Sequence, residues 1–161
     1  MNNKGFTTVE LILTMAVVIV IMSTISSVTY VYRDKSKYEE IVTDVMNYKN
    51  TVTKIIYDDI LDIGSTSGKV TKIEKVNNTS YNLVATSKTY NLTIINTSTE
   101  KGIQYDGVKY IIPGSNNSLV RYEGIKMYPT DGSDSNFYSL DIFFSHKTIP
   151  NQFKIHLVVS K

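Results

Sequence analysis

The side chains able to do chemistry are few. The chain of 161 residues has no cysteine and two histidines, His146 and His156, so thiol nucleophiles and cysteine-based zinc sites are excluded. His156 alternates with Ile155 and Leu157 and follows Lys154, which places it on the polar side of a strand. Asp58 and Asp59 are adjacent, and neighbours on a helix diverge by about 100°, so they read as two solvated carboxylates and not as an acid–base pair. No glycine-rich phosphate loop, G-x-S-x-G or H-E-x-x-H occurs. Asp131-Gly132-Ser133-Asp134-Ser135-Asn136 offers oxygen ligands at short spacing, but it departs from the EF-hand pattern. Asp131 and Asp134 are the candidate calcium ligands of what otherwise reads as a polar loop. No catalytic residue and no cofactor is expected. One group stands out: Glu10 is the only ionisable side chain from Phe6 to Val28. A carboxylate in the middle of a membrane costs about 2.5–3.5 kcal/mol, less near the interface. Glu10 therefore sits close to headgroups or is kept for a partner.

The element that must carry Glu10 is a helix. Between Leu11 and Met22 every residue except Thr14 is apolar. Residues 6–29 would make a helix of about 35 Å, enough for a bilayer core of about 30 Å. Residues 30–63 contain neither proline nor glycine, and apolar residues recur at Tyr38, Ile41, Val45, Tyr48, Val52 and Ile55. That is the spacing of one helical face, widened by Val42, Met46 and Ile56. This amphipathic half is expected to stop at Gly64, ahead of Ser65-Thr66-Ser67-Gly68.

Residues 64–161 read as a β-rich globular part. Alternation predicts strands around Tyr81-Leu83-Ala85, Tyr90-Leu92-Ile94, Val108-Tyr110-Ile112, Tyr138-Leu140-Ile142-Phe144 and Phe153-Ile155-Leu157-Val159. Residues 70–76 alternate poorly and suit an edge strand. The last two strands would form a hairpin across Lys147-Thr148-Ile149-Pro150-Asn151. Asn77-Asn78, Ser87-Lys88 and Asp106-Gly107 are turn candidates, and Pro113-Gly114-Ser115-Asn116-Asn117 a loop. An antiparallel sheet with one apolar face needs a cover, and the helical stripe supplies it. The fold class is thus α+β: a long N-terminal helix packed on a C-terminal antiparallel sheet.

The N-terminal stretch resembles a known family. Gly5-Phe6-Thr7-Thr8-Val9-Glu10 ahead of an apolar run is similar to the class III signal of type IV pilins and type II secretion pseudopilins. The resemblance implies a leader, residues 1–5, removed by a prepilin peptidase between Gly5 and Phe6, and N-methylation of Phe6. It implies that Glu10 and Phe6 serve subunit assembly, and that the partners are other pilin subunits, the peptidase and an assembly platform protein. It places the chain in the cell membrane as a single span, and afterwards in an extracellular or periplasmic filament. Thr8 stands where many members carry an apolar residue, and no proline interrupts the helix. That absence, with the lack of a cysteine-closed loop, points to a minor pilin or pseudopilin. Some pseudopilins hold calcium in a loop, which is what draws attention to Asp131 and Asp134. The alternative is a single-pass anchored binding module, an adhesin or a DNA- or sugar-binding head, that does not assemble. The formal net charge of +2 is scattered and gives nucleic-acid binding no support. Arg33, Lys35 and Lys37 follow the span and only Lys4 precedes it, so the charge rule alone would orient it the other way.

Overall fold

The computed structural model describes residues 7–64, 66–115, 119–129 and 136–160. It is α+β: one helix, α1 (Thr8–Ile60), and eight strands, β1 (Lys72–Lys75), β2 (Ser80–Val84), β3 (Thr89–Asn96), β4 (Lys101–Tyr105), β5 (Val108–Ile111), β6 (Val120–Tyr128), β7 (Phe137–His146) and β8 (Ile149–Ser160). Two compact parts divide the chain, Met1–Glu40 and Ile41–Lys161, and the division falls inside α1.

In the first part every described residue is helical from Thr8 on and exposed. Backbone needs are met along the helix, and the hydroxyls join in. Thr14 donates to the Leu11 carbonyl at 2.8 Å, Ser27 to Ser23 at 2.9 Å and Thr29 to Ile25 at 2.8 Å. Hydroxyls that bond back into their own turn need no water, which lets them stand in an apolar run.

In the second part the C-terminal turns of α1 lie on two antiparallel sheets. One has the order β1-β2-β3-β4-β5 and the other β6-β7-β8. The β-residues therefore form two sheets and not the single one that alternation suggested. Val45, Tyr48, Val52, Ile56 and Ile60 from the helix share one core with Leu83, Leu92 and Ile103 of the first sheet and with Leu140, Ile142, Ile155 and Leu157 of the second. The helix ends on Asp62, whose φ of 59 turns the chain left-handed. Ile63 donates its N–H to the Asp58 carbonyl at 2.7 Å and Asp62 to Asp59 at 3.2 Å, the pair of bonds of a Schellman cap. The stop thus comes at Asp62, two residues before the glycine expected to make it.

The hairpin turns follow local chemistry. Asp106 and Gly107, with φ of 47 and 85, join β4 to β5 as a two-residue loop between the paired Tyr105 and Val108. Strand β1 is an edge strand, as its poor alternation suggested. The β7–β8 turn is tighter than expected: His146 pairs with Ile149, so Lys147 and Thr148 make the turn and Ile149-Pro150-Asn151 already belong to β8. Two strands escaped the reading of alternation. In β6 a bulge between Tyr122 and Gly124 shifts the phase, so Val120 and Tyr122 face the core before it and Ile125 and Met127 after it. In β4 only Ile103 and Tyr105 enter the core, and Gly102, on the other face, lies so close to β5 that a Cβ would come 2.1 Å from the Tyr110 carbonyl oxygen.

Candidate functional site: a capped apolar helix

Thr7 closes the N-terminus of α1. Its carbonyl accepts the Leu11 N–H at 3.1 Å, its own N–H donates to Glu10 Oε2 at 2.9 Å, and Glu10 N–H donates to Thr7 Oγ1 at 3.3 Å. The Thr7 hydroxyl adds a bond to Glu10 Oε2 at 2.9 Å. This is a capping box, in which residue and cap satisfy each other's orphan N–H groups. A carboxylate there also faces the positive end of the helix dipole. The pattern Thr7-x-x-Glu10 is the sequence signature of this cap, and it gives Glu10 a local partner that its place as a lone charge does not show.

Beyond the cap, Leu11, Ile12, Leu13, Val17, Ile19, Val20, Ile21 and Met22 are all exposed. This part of α1 is long and apolar enough to cross a membrane. Water-exposed apolar residues in an unbroken run of this length point to an environment of lipid or of other apolar surfaces. Gly5 and Phe6 lie outside the described residues, as do Asp131 and Asp134. Among the described residues no group of three or more His, Asp or Glu is placed to hold a metal.

From Val45 on, the helical stripe packs where its spacing places it. Val45, Tyr48 and Val52 are buried, whereas Ile41 and Ile55 are half-buried. Tyr38 is 39% exposed and does not belong to the packed face; Ile56 and Ile60 do. Spacings of four carry the buried stripe along 48, 52, 56 and 60, and Ile55 packs half-buried beside it. Tyrosines on this stretch are tied to the sheets: Tyr48 Oη donates to the Tyr110 carbonyl at 3.2 Å, and Tyr57 Oη accepts the Val158 N–H of β8 at 3.0 Å. Burial pushes the Tyr48 phenol up, beyond any physiological ionisation. An open groove of about 480 Å³ runs beside it, lined by Asp44, Asn47, Thr51, Tyr110 and Pro113 among others.

The histidines differ from one another. His156 stands on the exposed side of β8, as its alternation predicts, and bonds through Nδ1 to Asp141 Oδ1. Lys154 Nζ meets Asp141 Oδ2 at 3.1 Å. Burial alone would raise the Asp141 carboxyl, but the bonds from His156 and Lys154 outweigh it and hold it below the ordinary carboxylate range. His146 is buried, and burial lowers its tendency to take a proton. Its Nδ1 accepts the Thr148 N–H at 3.2 Å, inside the β7–β8 turn. Asp58 and Asp59 are half-buried and less solvated than expected. Asp59 adds to the rise that burial imposes on the Tyr105 phenol. Tyr105 is buried in β4, Tyr122 packs on Phe144, and exposed Tyr128 stacks on Phe137.

Compared with known proteins, the chain matches no family model, no curated protein and no solved structure.

Proposed function

We propose that the chain is a structural subunit of the type IV pilin and pseudopilin class, a minor subunit built to be held in a membrane and then assembled through its N-terminal helix. In this reading a prepilin peptidase removes residues 1–5, Phe6 becomes the methylated N-terminus, and the subunit waits in the membrane. An ATP-driven machine with a platform protein then draws it into a bundle of like helices. The observation that supports this best is the exposed apolar run of α1 with a single carboxylate in its first turn. An anchor needs the run but not the carboxylate. A bundle needs both, because a charge on one helix and an amine on the next set the register between subunits. The rest of α1, packed beneath two sheets, gives each subunit a folded part that stays outside the bundle.

Intact-mass analysis of the membrane fraction tests the reading. The mature chain is expected to start at Phe6 and to carry one added methyl group when the peptidase is present. Gly5→Val should retain the leader, since a side chain there crowds the peptidase's approach to the backbone. Retention of Met1 in the wild type, or loss of the whole apolar run, would instead favour a plain anchor or an ordinary signal sequence. In the same preparation Glu10→Ala should be cleaved and membrane-bound yet depleted from sheared filaments.

A further inference from the structure

Where the apolar run ends, the surface of α1 changes in a patterned way. Tyr30 and Tyr32 are 69% and 73% exposed, and Arg33, Lys35 and Lys37 follow at once. From Glu10 to Tyr30 the helix climbs about 30 Å, the thickness of a bilayer's hydrocarbon core. The two polar boundaries of the run are thus spaced to meet the two headgroup layers. Tyrosine is at home at that depth, with its ring among acyl chains and its hydroxyl among headgroups.

The three basic residues are not equivalent. Lys35 is drawn to Glu39 one turn on, at 3.8 Å. Tyr30, Arg33 and Lys37 share the opposite face, at spacings of three and four. Among the described residues neither Arg33 nor Lys37 forms an ion pair. Asp34 and Glu40, each three residues from Lys37 along the helix, form no ion pair with it either. Two cations without an ion pair beside an aromatic residue, at the end of an apolar span, fit a molecule with a phosphate at one end and hydrocarbon at the other.

We propose that the face formed by Tyr30, Arg33 and Lys37 binds the phosphates of anionic phospholipid headgroups and thereby fixes the depth at which α1 rests in the bilayer. Arginine offers a phosphate a two-pronged contact and lysine a point charge, and both long stems can snorkel to the headgroup plane. The inference rests on the membrane-resident stage of the proposed function. It does not depend on cleavage or on filament assembly.

The test uses the full chain reconstituted into vesicles of phosphatidylcholine alone, or of phosphatidylcholine and phosphatidylglycerol at about 7:3. Flotation on pure phosphatidylcholine reads insertion by itself, and the wild type and the Arg33→Gln/Lys37→Gln double variant should both float. Spin-labelled lipids then read selectivity at the protein surface. The wild type should prefer phosphatidylglycerol, salt should weaken the preference, and the double variant should lose roughly fivefold per basic residue removed, about 30-fold together. Arg33→Lys should keep most of it. Because the chain has no cysteine, one introduced at position 28 or 36 can carry a nitroxide that reports depth. Both labels should shift relative to the headgroups in the double variant. Equal affinity for the two lipids in the wild type, or a preference that survives in the double variant, would overturn the proposal and leave the cations for an acidic protein partner. Failure to float would overturn it together with the membrane reading beneath it.

Discussion

Ile56→Ala and Tyr38→Ala together test how far along α1 the packed face runs. Ile56 is fully buried in the shared core, whereas Tyr38 is exposed and Ile55 is half-buried. The substitution removes Cγ1, Cγ2 and Cδ1, worth about 0.8 kcal/mol each in lost transfer energy, or about 2.4 kcal/mol. An incompletely collapsed cavity of about 60 Å³ adds roughly 1.5 kcal/mol at about 24 cal/mol per Å³. The sum is about 4 kcal/mol. For a folded part of this size each kcal/mol moves the melting temperature by about 4 °C, so a fall of roughly 15 °C is expected. Tyr38→Ala, on the surface, should cost no more than about 0.5 kcal/mol, about 2 °C. Near-UV circular dichroism melts of the full chain in mild detergent make the comparison. If Tyr38→Ala falls as far as Ile56→Ala, the packed face runs further towards the N-terminus of α1 than Val45; if Ile56→Ala moves the melt by only a few degrees, Ile56 does not belong to the core.

Two further substitutions probe the β-part. Gly102→Ala places a Cβ 2.1 Å from the Tyr110 carbonyl oxygen, so β4 and β5 must part locally; urea unfolding should lose about 1–3 kcal/mol, and an unchanged midpoint would mean the strands separate without cost. His146 takes a proton less readily folded than unfolded because it is buried, so between the two pKa values the unfolded chain binds more protons and stability rises with pH. Its contribution is whole above the ordinary histidine value of about 6.5 and is lost as the pH falls below it, so the wild type should lose more stability between pH 7 and 5 than His146→Gln, and parallel profiles would refute this.

How far the fold could be read in advance depended on whether local pattern and tertiary role agreed. They agree in β2, β3, β7 and β8, where alternate residues enter one core and the intervening ones meet solvent. Asp106-Gly107 was legible because a left-handed pair demands such residues. The agreement fails where a strand changes phase, as β6 does at its bulge, or where a strand offers too few core residues to show the pattern, as β4 does with Ile103 and Tyr105. It fails at Lys147-Thr148 because that turn carries no glycine, asparagine or aspartate; the imidazole of His146 supports it instead. The division into two sheets was invisible for a related reason. Alternation reports that a strand has an apolar side, not which strands share a sheet. The stripe on α1 was legible in kind but not in reach: Tyr38 continues the spacing yet is exposed, and Ile60 extends the packed face beyond Ile56.

Glu10 was legible as an anomaly, and the structure explains half of it. The capping box accounts for a hydrogen-bonding side chain three residues after Thr7. It does not account for the charge. A glutamine at the same position completes a capping box as well, and it enters an apolar run at lower cost than a carboxylate does. The bonds formed also leave capacity to spare. Both donors from Thr7 fall on Oε2, so Oε1 is uncommitted among the described residues. A carboxylate can accept further hydrogen bonds on that second oxygen without giving up the first. The cap therefore holds the side chain in one rotamer at the helix terminus with one oxygen turned to other use. What remains to be explained is a fixed negative charge beside an apolar surface, and a cation brought by a neighbouring helix is the partner such a charge calls for. The amine of Phe6 on an adjacent subunit is the one the proposed function supplies.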